Sequence, residues 1–182
     1  MVGFDEVGKG DLFGPLVLCG VQDNPNLCKL PNIKDSKKLS NKNILLLAPE
    51  IKKIVKYEIL EIIPFEYNKL YSIYKNQSLI LKQGYENLIS RFPDESHFII
   101  DKFSNGNKHN IRKDSVLVEL KPKADNTYVA VSAASIIARE VLLRWFEFHP
   151  KLSLGATNDA KRCLKYVKEK DRVKLVKMHF RV

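Results

Sequence analysis

The apolar positions of this chain switch between two periods, and the switches predict an alternation of strands and helices. Residues 1–5 and 14–22 are short apolar runs, predicting two strands joined by a glycine-rich segment in a hairpin-like start. Residues 23–34, opening with Asp23-Asn24-Pro25-Asn26, predict a loop, and Ser40 is placed to cap a helix over 41–54. Tyr57 to Ile63 alternates and predicts a strand that Pro64 ends. From Phe65 to Phe92, Leu70, Ile73, Tyr74, Leu81, Tyr85, Leu88 and Ile89 recur at helical spacing, while Gly84 argues against one unbroken helix. His97 to Asp101 is a short strand of the buried type, 103–114 is polar with a turn at Asn105-Gly106-Asn107, and Val116 to Leu120 is a further strand.

Tyr128 to Phe148 carries the strongest helical signal, with Ala130, Ser132, Ala133, Ala134 and Ser135 at its start. Such small side chains let a helix lie close against a sheet. Asn158 to Val167 and Asp171 to Met178 read as two basic helices. No internal repeat or linker interrupts the order, which predicts one α/β (or α+β) domain over 1–182 built on a mixed sheet, with a basic helical region from about 150 to 182.

Composition adds one feature. The 182 residues hold 31 Lys plus Arg against 21 Asp plus Glu, a net charge of +10. An excess of that sign suits a polyanion, most simply nucleic acid, although a generally lysine-rich proteome would produce the same balance. Cys19, Cys28 and Cys163 are odd in number and lack Cys-x-x-Cys spacing, against a disulfide framework or zinc knuckle. No apolar stretch approaches the ~20 residues of a membrane span. Acids at positions 5 and 6 stand where a signal peptide would be apolar, so a cytoplasmic protein is expected, with no membrane partner.

Four acids stand out by position. Asp5 and Glu6 end the first strand, Asp101 ends an apolar strand in the same way, and Asp125 precedes the small-residue helix. Parallel pairing of the two strands would bring Asp5 and Asp101 side by side, where carboxylates repel unless cations sit between them. Mg²⁺ is the usual cation for such a set, and two ions about 3.5–4 Å apart can activate water and stabilise a leaving phosphodiester oxygen. Neighbouring strand residues face opposite ways, so Asp5 and Glu6 share one site only if the strand ends or bulges there. Each acid also has a plainer role open to it: Asp125 as a helix N-cap, Asp101 as a turn former, Asp5-Glu6 as a solvated pair.

Together the motifs resemble the type 2 ribonucleases H, the family of ribonucleases HII and HIII. The matching blocks are Asp5-Glu6-Val7-Gly8-Lys9-Gly10 with Gly14-Pro15, Asp35-Ser36-Lys37-Lys38-Leu39, Ile99-Ile100-Asp101, and Ala133-Ala134-Ser135-Ile136-Ile137-Ala138-Arg139. Asp125 stands where the family carries its fourth acid. The resemblance implies a ribonuclease H-like fold with a mixed five-stranded sheet. It implies a metal-dependent endonuclease that cuts the RNA strand of RNA/DNA hybrids, leaving 3′-hydroxyl and 5′-phosphate ends, a chemistry of DNA replication and repair. Asp5, Glu6, Asp101 and Asp125 would be the catalytic acids holding two divalent ions, Mg²⁺ or Mn²⁺. Gly8, Lys9 and Gly10 would read the ribose 2′-hydroxyl, and Ser36, Lys37, Lys38 and Ser135 would complete the substrate contacts. The lysines alone could equally be a solvated cluster at a helix entry.

Within the family, Val7, Asp11 to Pro15, Ala124-Asp125, Leu154-Gly155-Ala156 and Lys177 to Phe180 look more like ribonuclease HIII. Residues 153–157 lack the tyrosine with which ribonuclease HII senses an RNA–DNA junction. Ribonuclease HIII normally carries an N-terminal substrate-binding domain, and none is expected here. The alternatives are a ribonuclease HII-like enzyme cutting at single embedded ribonucleotides and a non-catalytic hybrid-binding module. A monomer is expected. His97, His109, His149 and His179 lack metal-ligand spacing and read as structural or surface residues.

Overall fold

The computed structural model describes residues 1–31, 33, 38–103, 111 and 116–180. Five strands, β1 (Val2–Val7), β2 (Leu16–Gln22), β3 (Tyr57–Ile62), β4 (His97–Asp101) and β5 (Leu117–Lys121), form one sheet in the order β3-β2-β1-β4-β5. β1, β2 and β3 pair antiparallel, whereas β4 and β5 join β1 in parallel. This is the mixed sheet that the element order predicts, with the five strands that the family resemblance implies.

Strand alternation sorts the core into two layers. Val2, Phe4, Leu16, Leu18, Phe98 and Ile100 face α2 (Pro64–Tyr74) and α3 (Gln77–Ser90). Val17, Cys19 and Val21 face α1 (Asn41–Ile54) and α4 (Val129–Glu147). α4 lies so close to β1 that a Cβ on Gly3 would stand 2.5 Å from the backbone nitrogen of Val131. Ala130, Ala133 and Ala134, all buried, provide the matching small surface.

Several boundaries differ from those the pattern predicts. β1 continues through Glu6 to Val7, each residue in register with β2, rather than ending at Asp5. The break in the 65–92 stretch falls at Lys75, which adopts a left-handed conformation (φ 51°), and at Asn76, whose side chain caps α3. Gly84 instead lies within α3, where a Cβ would come within 2.7 Å of Leu18. It permits close helix–sheet contact and breaks nothing.

The two expected basic C-terminal helices are pieces: α5 (Asn158–Arg162), 3-10 turns at Cys163–Tyr166 and Glu169–Asp171, and α6 (Arg172–Leu175). They close a third small core of Leu12, Phe13, Ala160, Val167 and Val176, with Trp145 against it. The turn expected at Asn105-Gly106-Asn107 lies outside the described residues. Among the described residues no helix is long and apolar enough to cross a membrane.

Candidate active site

The site lies where the parallel strands end. The β1–β4 ladder pairs Val2 with Phe98, Gly3 with Ile99 and Phe4 with Ile100, so Asp5 and Asp101 are the next step on neighbouring strands. Alternation fixes their directions. Asp5 shares its face with Gly3, the α4 side, and Asp101 shares its face with Ile99, which packs on Val131 and Ala124 of that same side. Asp125 sits in the 3-10 turn Ala124–Asn126 that leads into α4, only 2% exposed. The Ala124 amide donates to Asp101 Oδ1 at 2.8 Å, tying that turn to the end of β4. Asp125 is not the α4 N-cap; Tyr128 holds that position.

Glu6 points the other way because β1 neither ends nor bulges at it. Its Oε2 accepts a hydrogen bond from Tyr85 of α3, and its Oε1 meets Lys9 Nζ at 2.6 Å. The Glu6 side chain is 3% exposed and that of Lys9 44%. Asp5, Asp101 and Asp125 thus share the α4 side, while Glu6 approaches the strand end from the α3 side.

The electrostatics are those of crowded acids. Burial, then the neighbouring charge of Glu6, push the Asp5 carboxyl up to about 8; Asp101 adds to the rise. Hydrogen bonds from the Ser135 side chain and from the Glu6 amide (2.8 Å) oppose it. Tyr85 is raised well above an ordinary phenol by burial and by Glu6, so it remains a hydrogen-bond donor. Among the described residues no three acidic, histidine or cysteine side chains already stand at the spacing of a formed metal site. Oxygens of Glu6 and Asp101 are engaged by Lys9, Tyr85 and the Ala124 amide. The donor set nevertheless fits a hard divalent cation: every group is a carboxylate oxygen, and Asp5 is held against its own ionisation by burial and by the neighbouring charge of Glu6.

The Gly8-Lys9-Gly10 segment turns directly out of β1, with the Asp11 amide donating to the Gly8 carbonyl at 3.2 Å. Gly8 has φ +90°, and a Cβ there would lie 2.2 Å from the Pro15 carbonyl oxygen, so this position requires glycine. A Cβ on Gly10 would meet nothing within 4 Å, which leaves the outer surface of the turn open. Lys38 is exposed; Ser36 and Lys37 lie outside the described residues. Ser135 is brought to Asp5.

Of the histidines, His97 pairs with Glu119 at 2.7 Å, His149 stacks on Trp145, and His179 packs against Tyr67 and Tyr71. His109 lies outside the described residues. The sequence assigns no site role to Tyr85, Gln77 or Lys177. Tyr85 falls in the apolar stripe of its helix, and the only signal was a hydroxyl among hydrocarbon side chains. Gln77 Nε2 donates to the Lys9 carbonyl at 2.8 Å, and Lys177 Nζ donates to the Asp11 carbonyl at 2.9 Å.

The chain is similar to proteins of one family. The family model for ribonuclease HII matches residues 2–181. The ribonuclease HIII of Aquifex aeolicus is 34% identical over 99% of this chain and 71% of its own length. Among solved structures, Bst-RNase HIII in complex with Mn²⁺ has a TM-score of 0.84 at 28% identity, over 98% of this chain and 66% of that one. The ribonuclease HII of Archaeoglobus fulgidus, solved in complex with PCNA, has a TM-score of 0.80 at 33% identity, over 91% and 85% of the two chains. The chain thus spans about two thirds of the length of the ribonuclease HIII structure. Over practically its whole length, it belongs to the ribonuclease HII family of endonucleases.

Proposed function

We propose that this protein is a divalent-metal-dependent endonuclease that hydrolyses the RNA strand of RNA/DNA hybrids, with Asp5, Glu6, Asp101 and Asp125 as its metal-binding acids. The observation that carries the reading is the placing of the buried Asp5 carboxyl next to Glu6 and beside Asp101 where the parallel strands end. A chain gains nothing structural from crowding acids at a strand end; a cation reverses the repulsion. The Mn²⁺ in the Bst-RNase HIII structure supports the same chemistry. Two Mg²⁺ or Mn²⁺ ions, when bound, would lower the pKa of water and neutralise charge at the scissile phosphate, giving 3′-hydroxyl and 5′-phosphate ends.

The protein's own groups do the positioning. Ser135 and the Glu6 amide orient the Asp5 carboxylate, the Ala124 amide orients Asp101, and Tyr85 orients Glu6. Lys9 neutralises Glu6 on the solvent side and is free to withdraw there, because its side chain is nearly half exposed. The open turn at Gly10 is where the backbone would read a 2′-hydroxyl, the group that separates RNA from DNA. Lys37 and Lys38 would contact phosphates.

The substrate preference we favour is that of ribonuclease HIII. Residues 153–157 offer no tyrosine to an RNA–DNA junction, and Gly155 instead pairs with Leu12 and Asp11. A labelled RNA/DNA hybrid incubated with Mg²⁺ or Mn²⁺ should be cut along its RNA strand; RNA intact under both ions rejects the proposal. A duplex with one embedded ribonucleotide should be a poor substrate. Efficient cutting at its 5′ side would assign the chain to the ribonuclease HII preference instead.

A further inference from the structure

Lys177 is a fully buried lysine whose ammonium forms no ion pair among the described residues, the Asp11 carboxylate favouring its charge only from farther away. Its Nζ donates to the carbonyls of Asp11 (2.9 Å) and Phe13 (3.3 Å). Burying an ammonium is costly, and burial indeed pulls this group down to about 8. A methionine would fill the same space without that cost, so the stability of the third core does not explain the lysine. Its two acceptors do. Both lie on the segment that immediately follows Gly8-Lys9-Gly10.

The same segment is held along its length. The Lys177 amide donates to the Leu12 carbonyl at 2.8 Å, Phe13 forms an antiparallel bridge with Val176, and the Gly14 amide donates to the Leu175 carbonyl at 3.3 Å. At the other end, Gln77 at the start of α3 donates to the Lys9 carbonyl at 2.8 Å and to the Tyr67 hydroxyl at 3.0 Å. Tyr67, fully buried, joins the two grips: its ring lies 6.0 Å from Lys177 Nζ. Gln77 and Lys177 therefore fasten the turn before and after Gly10, where a Cβ would meet nothing within 4 Å.

We propose that Gln77 and Lys177 are positioning residues that set how strongly the Gly8-Lys9-Gly10 turn prefers ribose over deoxyribose. The inference rests on the reading of that turn as the 2′-hydroxyl reader. A hydrogen bond to a single hydroxyl tolerates little displacement, so a turn released at either end loses discrimination before it loses general phosphate affinity.

The test compares full-length wild-type protein with Gln77→Leu, Lys177→Met and Lys177→Arg. The readouts are KM and kcat on an RNA/DNA hybrid, and inhibition of that cleavage by an all-DNA duplex of the same sequence. Gln77→Leu and Lys177→Met should each raise KM for the hybrid about tenfold with kcat within about threefold, and should narrow the hybrid-over-DNA preference about tenfold. Lys177→Arg, which keeps the donors, should recover part of that preference. Global destabilisation would lower the active fraction and the thermal midpoint without moving the preference. Among the described residues, the hydrogen bonds of the Gln77 side chain go to the turn and to Tyr67, so it decides the matter if Lys177→Met fails to fold. Wild-type protein that leaves hybrid uncut defeats the reading of the site and this inference with it. Wild-type protein that cuts hybrid, with an unchanged preference in Gln77→Leu, overturns the inference alone.

Discussion

Asp5 pays for its position in proton affinity, and that gives a stability prediction with a definite sign. Its carboxyl lies at about 8 in the folded protein against an ordinary 3.8. Between those values the unfolded chain binds fewer protons at this site than the folded one, so stability falls as pH rises from about 4 to 8 and the full penalty persists above that. Thermal melts of the metal-free protein should therefore show Asp5→Asn gaining on the wild type across this window, reaching on the order of a few kcal/mol near pH 8. The same substitution should abolish cleavage. A melt difference that does not vary with pH would mean that the Asp5 carboxyl is not crowded. Tyr85 makes a different kind of prediction. Tyr85→Phe keeps the ring packed against Phe4 and Phe103 and removes only the donor to Glu6. Mn²⁺ affinity, followed by titration, should weaken about 10-fold while the fold persists; undiminished affinity would show that Glu6 needs no such support.

At the scale of elements, what was legible in the sequence follows from whether the signal is local. The helix at 41–54 is found to the residue because its cap, Ser40, and its periodicity lie within one stretch of chain. The three acids of the α4 side were legible because strand ends and a helix start announce themselves by composition. The direction of Glu6 was not, since it depends on β1 staying in register with β2 for two further residues. Nor were the short C-terminal helices, whose basic periodic pattern yields to bridges with residues 12–14 that lie far away in the chain. Gly84 and Gly3 show the difference between a helix signal and a packing signal, and the two should respond differently to alanine. Gly84→Ala would press on the flexible end of Leu18 at 2.7 Å, costing about 1–3 kcal/mol, partly offset by helix propensity. Gly3→Ala would meet the Val131 backbone nitrogen at 2.5 Å, so α4 must move and carry Ser135 away from Asp5. Urea unfolding should show the larger loss for Gly3→Ala, and cleavage should fall in it alone. Equal losses would mean that α4 is able to shift freely on the sheet.

At the scale of the whole molecule, the net charge is +10 while the site is made of acids, and the two must be reconciled by substrate. Positive charge that served only solubility would be indifferent to a duplex, whereas charge arranged along a phosphate track would release counterions on binding. Lys9 and Lys38 are exposed, and the C-terminal region adds Lys151, Lys161, Lys165, Lys168, Lys170 and Lys174, all exposed. Some of this charge is already spent internally: Lys174 pairs with Asp171, while Lys151 and Lys165 lie over the Tyr166 ring. Such surface contacts are weak and yield readily to phosphate. Binding of hybrid to Asp101→Asn protein, which should not cut it, isolates the term. The logarithm of affinity should fall linearly with the logarithm of salt concentration, with a slope of about −4 or steeper, corresponding to at least about four neutralised phosphates. Charge reversal at Lys165 and Lys170 together should make the slope shallower by up to about two and weaken hybrid and all-DNA duplex alike, because phosphate contacts do not distinguish the sugars. That uniform loss is the opposite of the selective one expected for Gln77 and Lys177. A slope near zero would divorce the basic surface from the substrate, and a loss confined to hybrid would place those lysines at the ribose instead of the phosphates.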